Sequence, residues 1–121
     1  MARTTGARAM SKAKILKNTT SYHDELIESL KKPKEADLYL RIAMEEYHED
    51  GDTESLLVAL RNIAEARGGM SQLAKKTHLN RQNLYQALSK EGNPTLDTFE
   101  LILKGLGYRL AIQPDETRKA G

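Results

Sequence analysis

The residues best suited to chemistry lie in one run, Gly69-Met-Ser-Gln-Leu-Ala-Lys-Lys-Thr-His-Leu-Asn-Arg-Gln-Asn-Leu-Tyr-Gln-Ala-Leu-Ser89. Glutamine and arginine can each make paired hydrogen bonds to the edge of adenine or guanine, so the chemistry on offer is recognition of bases rather than bond making. Placed on a helix that advances about 100° per residue, Leu84, Ala87 and Leu88 share one side. Gln82, Tyr85, Gln86 and Ser89 share the other, with Arg81 at the helix start beside them. No acidic residue falls between Gly68 and Lys90, so nothing there repels phosphate. Lys75 and Lys76 project from the preceding helix. Ser71, Gln72, Asn93 and Thr95 fall at or near helix N-termini, where hydroxyl, amide and backbone N–H groups can hold a phosphate. Base readout is therefore assigned to Arg81, Gln82, Tyr85 and Gln86, and phosphate contact to Ser71, Gln72, Lys75, Asn93 and Thr95. The competing interpretation is a polar, solvated helix face with no nucleic-acid role.

The elements that must position these side chains have helix-turn-helix spacing. Ala74 is small where the two helices should cross, Thr77-His78-Leu79 makes the turn with Leu79 entering the core, and Leu84 and Leu88 anchor the second helix. In such a motif the second helix enters the major groove. His78 stands where most such turns carry glycine, so a positive backbone angle is expected there.

Upstream, three- and four-residue apolar spacing predicts further helices. Ser21-Tyr-His-Asp24 reads as a helix start and predicts a helix from Tyr22 to about Lys31. Pro33 then opens a second helix, about Lys34 to Glu49. Asp52 caps a third, about Thr53 to Arg67, which Gly68-Gly69 ends. Short helices follow at about Met70–Thr77 and Arg81–Ser89, and Thr95 caps a sixth at about Leu96–Lys104, with Gly105 and Gly107 stopping it. The alternation in Tyr108-Arg-Leu-Ala-Ile112 suggests a short strand, which needs a partner from a second copy or another protein. The expected fold is all-α: five to six short helices with a helix-turn-helix and an optional C-terminal strand. Leu101, Leu106, Tyr108 and Leu110 are assigned to dimerisation, because little chain remains to bury them.

Charge divides the 121 residues into unlike parts. The formal net charge is only +2. Yet residues 1–23 carry five basic and no acidic side chains, residues 24–66 carry five basic and twelve acidic, and residues 67–113 carry seven basic and three acidic. Oppositely charged halves suggest two surfaces for two partners. Four segments are expected: a disordered basic tail over 1–20, which is either solvated or an arm that touches phosphate or a partner; an acidic helical segment over 21–67; the helix-turn-helix and dimerisation region over 68–113; and a frayed tail over 114–121. Glu45, Glu46, Glu49, Asp50 and Asp52 form the acidic cluster most suited to a basic partner, against the alternative of a solvated helix end. Tyr22, Leu26, Leu38, Tyr39 and Ile42 are either core or a docking surface.

Several function classes receive no support. Without cysteine there is no disulfide, thiolate nucleophile or cysteine zinc site. His23, His48 and His78 lack a second histidine at ligand spacing, so no metal site is expected. Tyr47-His48-Glu49-Asp50 sets a base beside acids, but neighbours in sequence point around a helix. Gly68-Gly69 lacks the lysine and hydroxyl residue of a phosphate loop, and no serine sits in a nucleophile elbow. Neither catalysis nor a cofactor is expected. The longest apolar run, Leu56 to Leu60, is far short of the roughly 20 residues a membrane span needs. No apolar stretch follows the N-terminal basic residues as in a secretory signal, so the expected address is the cytoplasm.

Residues from about Ser21 to Ile112 resemble the addiction-module antidote proteins, antitoxins with a lambda-repressor-like (Xre-type) helix-turn-helix akin to the HigA class. The matching blocks are Leu57-Val-Ala-Leu-Arg-Asn-Ile-Ala-Glu-Ala-Arg-Gly-Gly-Met70, Leu73-Ala-Lys, Leu84-Tyr-Gln-Ala-Leu-Ser, Gly92-Asn-Pro-Thr95 and Leu106-Gly-Tyr-Arg-Leu. The resemblance implies an antitoxin that neutralises a RelE-like toxin and, as a homodimer, represses its own operon by binding operator double-stranded DNA. The acidic cluster then becomes the candidate toxin contact, since RelE-like toxins are small and basic. The alternatives are a stand-alone Xre-type regulator, or a helical protein-interaction module that binds no DNA.

Overall fold

The computed structural model describes residues 12–116, and within them the chain folds as six helices with no strand. They are α1 (Lys12–Leu30), α2 (Pro33–Asp50), α3 (Thr53–Ala66), α4 (Gly69–Thr77), α5 (Arg81–Ala87) and α6 (Leu96–Gly105).

Most boundaries follow from local chemistry. Pro33 sits in the first turn of α2, where its missing N–H costs nothing. That helix ends on Gly51 in the left-handed region (φ 69°), whose N–H donates to the Tyr47 carbonyl at 2.7 Å. Asp52 caps α3 by accepting from the Ser55 N–H at 3.1 Å, and Thr95 caps α6 by accepting from the Thr98 N–H at 3.2 Å. At the end of α6, Gly107 (φ 94°) closes a Schellman motif: the Tyr108 N–H reaches the Leu103 carbonyl and the Gly107 N–H reaches that of Lys104.

Three expectations need correction. The first helix starts at Lys12 rather than Tyr22, so residues 12–20 are helical and not a disordered tail. Once a helix has nucleated, extending it through residues such as Lys12-Ala-Lys-Ile-Leu-Lys carries little penalty. Residues 1–11 and 117–121 lie outside the described residues. The alternation at Tyr108–Ile112 does not make a strand, because no neighbouring strand is present to complete a ladder. Gly105 does not stop α6. It lies at a close crossing, where an added Cβ would meet Leu73 Cδ1 at 2.7 Å and Thr77 Cγ2 at 2.9 Å on α4.

The core is one continuous cluster running from Leu30 to Leu106. Helix α3 is central to it. It packs against α1 and α2 on one side and α4 on the other, while α4 in turn holds α5 and α6. Leu57, Leu60 and Ile63 of α3 are fully enclosed, as are Leu73, Leu84, Leu88 and Ile102 from the second half. The acidic and basic segments therefore share one apolar interior and differ only in what they show outside.

Candidate nucleic-acid interface

Helix α5 has only seven residues, too few to be stable alone. Its surroundings hold it. At the N-terminus the Asn80 side chain accepts from the Asn83 N–H at 2.7 Å. At the C-terminus the Arg61 guanidinium, on α3, donates to the Leu88 carbonyl at 2.9 Å. Leu84 and Leu88 are fully buried and Ala87 nearly so.

The turn before α5 is built with equal economy. His78 adopts the left-handed conformation (φ 63°), the sole described non-glycine residue to do so, and its N–H donates to the Ala74 carbonyl at 2.9 Å. Thr77 is buried. Its hydroxyl donates to the Leu73 carbonyl at 2.8 Å and accepts from the Leu79 N–H at 3.2 Å, so one side chain ties α4 to the turn. Leu79 is half-buried against the core.

With its leucines inward, α5 shows Arg81, Gln82, Tyr85 and Gln86 to solvent. The Arg81 guanidinium carbon lies 6.0 Å from the centre of the Tyr85 ring, within reach of a cation–π contact. Gln86 also joins Asn83, Asn93, Pro94 and Thr98 around an open groove of about 390 Å³ between α5 and the start of α6. That groove depends on Gly92, since a Cβ there would strike the Ala87 carbonyl oxygen and stand 2.8 Å from its carbon. Ser71, Gln72 and Lys75 are exposed on α4, and Asn93 is exposed before α6. Thr95 is exposed too, but its hydroxyl already serves the α6 cap and lies 3.2 Å from the Thr98 hydroxyl.

The acidic cluster is less uniform than its sequence suggests. Glu45 and Glu49 are exposed and Glu46 is half-buried. Asp50 and Asp52 are built into the α2–α3 turn. The Asp52 N–H donates to Asp50 Oδ1 at 2.9 Å, and Asp52 accepts from both the hydroxyl and the N–H of Ser55, which hold its carboxyl below the usual carboxylate range.

Among the residues assigned to dimerisation, Leu106 is 3% exposed and belongs to the monomer core, contrary to expectation. The Schellman turn returns it to the core cluster. Tyr108 is also engaged within the chain. Its ring lies 5.3 Å from the Arg67 guanidinium and its hydroxyl donates to Asp37 Oδ1 at 2.8 Å, while Arg67 also donates to the Leu106 carbonyl. Burial, followed by the bond to Asp37, raises the Tyr108 hydroxyl above the usual tyrosine range. Leu101 and Leu110 remain exposed. Arg61, Arg67 and Asp37 escaped the sequence reading. Their partners lie 27 to 71 residues away, and no local pattern marks them.

Residues 25–114 match the family described as "Probable addiction module antidote protein". The chain belongs to this family. Membership implies an antitoxin role and a toxin partner of unspecified type. The antidote chain is also 37% identical over 89 residues to an uncharacterized protein of Haemophilus influenzae, covering 74% of this chain and 87% of that one. No solved structure matches it. Among the described residues no helix of the antidote chain is long and apolar enough to cross a membrane.

Proposed function

We propose that this antitoxin belongs to a type II toxin–antitoxin module, neutralises a RelE-like toxin, and represses its own transcription. Repression is exerted by a homodimer that binds operator DNA through the α4–α5 helix-turn-helix. The observation that carries the DNA half is the outward face of α5: an acid-free surface of Arg81, Gln82, Tyr85 and Gln86, held by buried leucines and capped at both ends. Arg81, Gln82, Tyr85 and Gln86 read base edges, while Ser71, Gln72, Lys75 and Asn93 hold phosphates and the Thr95 hydroxyl stays in the α6 cap. Residues 68–113 thus serve DNA and residues 21–67 the toxin, with Glu45 and Glu49 exposed on α2. Leu101 and Leu110 supply the apolar surface still available for pairing two copies.

The test is fluorescence anisotropy of the full chain on its own promoter fragment and on a scrambled duplex. Gln82→Ala is expected to weaken promoter binding by about 1–3 kcal/mol and relax preference at one base position, with little effect on the scrambled duplex. Equal losses on both duplexes would exclude base readout by that side chain.

A further inference from the structure

Arg81 stands where local electrostatics does not favour a cation. It is the first residue of α5, beside N–H groups that carry partial positive charge, and no acidic residue in that turn offsets it. Among the described residues no hydrogen bond or ion pair engages its guanidinium. By contrast, Arg61 and Arg67 donate to the carbonyls of Leu88 and Leu106. A residue that breaks a local preference with no evident gain to the fold marks a position kept for function.

The group set against Arg81 is the ring of Tyr85, one turn further on, with its centre 6.0 Å from the guanidinium carbon. Side chains on a helix lean toward its N-terminus, so a ring at Tyr85 falls over the turn that carries Arg81. Both residues are exposed, Tyr85 by 49%, so core packing does not force them together. A carboxylate would hold arginine by occupying its N–H donors and cancelling its charge. An aromatic face holds it through the electron-rich ring and leaves those donors free.

We propose that Tyr85 is a positioning residue for Arg81: its ring steadies the guanidinium so that the paired N–H donors meet O6 and N7 of one guanine in the operator. The proposal rests on the reading of α5 as the base-reading helix, and it gives Tyr85 a role apart from any contact its own hydroxyl makes. An unrestrained arginine loses rotamer freedom when it binds, and a stacked one has less to lose. Guanine is the base because it offers two acceptors side by side, whereas adenine sets a donor next to its acceptor.

The experiment has two readouts. Proton NMR of the full chain without DNA should show the Arg81 δ-methylene protons displaced upfield by the Tyr85 ring. Tyr85→Leu should return them to their ordinary position and Tyr85→Phe should keep them displaced. Leucine favours helix and the site is exposed, so α5 persists. Undisplaced protons in the unaltered chain overturn the proposal. Fluorescence anisotropy then compares the promoter fragment with fragments carrying single base-pair changes. Arg81→Ala is expected to abolish preference for one G·C pair. Tyr85→Leu should lower preference at that same pair by about three-fold, and Tyr85→Phe should restore it. In the Arg81→Ala background, Tyr85→Leu should cause no further loss at that pair. A full further loss there, or a failure of Tyr85→Phe to restore preference, gives Tyr85 an independent contact and overturns the proposal. Equal weakening of promoter and scrambled duplex by Arg81→Ala makes Arg81 a phosphate contact; it overturns the proposal and leaves Gln82 and Gln86 as readers. Absence of promoter binding by the unaltered chain overturns the DNA reading and the proposal together.

Discussion

Helices α2 and α5 feed the same apolar core yet present opposite surfaces by opposite means. Helix α2 has eighteen residues, stops itself on Gly51, and packs its small residues on α3. What it shows outside, aliphatic then acidic, needs no help from the rest of the chain. Helix α5 has seven residues and is held from elsewhere: by Asn80, by Arg61 across the core, and by buried Leu84 and Leu88. The difference teaches where each surface is vulnerable. Changes remote from α5 should disturb its presentation, whereas the α2 surface should yield only to changes within itself or to loss of the whole core.

The hardest blow falls on what the two helices share. Leu60→Ala, at a fully buried position of α3, should cost about 2–5 kcal/mol in denaturant unfolding. Toxin and promoter binding should fail together, since the buried residues described in both halves belong to one cluster. If one surface survived at full strength, the halves would be independent and the comparison would break. A smaller and more selective effect is expected from Arg61→Ala. It leaves the Leu88 carbonyl without its charged donor and should cost about 1–2 kcal/mol of stability. Promoter affinity should fall with it while toxin affinity holds, as parallel titrations of the two partners would reveal. The mildest effect concerns the tie between the halves. Burial raises both Tyr39 and Tyr108 above the ordinary tyrosine range. A group raised in the folded state adds stability that is fully present below its unfolded value, near pH 10, and lost as pH climbs through the folded one. Thermal melting should therefore decline above about pH 10, and Tyr108→Phe should flatten that decline. An unchanged alkaline slope would mean that the raised Tyr108 hydroxyl does not contribute to the alkaline loss of stability.

How much of this was legible in advance follows from range in sequence. Caps and stops were readable at Pro33, Asp52, Thr95 and Gly107, because each acts within a few residues. His78 was readable as a left-handed turn residue for the same reason, and so was the division of α5 into leucine and glutamine sides, which helix periodicity sets. Leu106 was misjudged because the turn that returns it to the core is tertiary in effect. Tyr108–Ile112 was misjudged because alternation describes a strand's faces but cannot provide the neighbouring strand it must bond.

Local chemistry thus determined the helical class, the order of the elements, the acid-free stretch around α5 and the opposed charges of the two halves, since propensity, capping and charge are properties of neighbours in the chain. Only the tertiary structure decided that α3 unites both halves in one core, that Arg61 secures α5, that Asp37 meets Tyr108, and that Leu38 and Ile42 stay outside while Leu106 goes in. Those outcomes depend on which surfaces compete for the same buried space, and that competition is settled by packing among residues tens of positions apart.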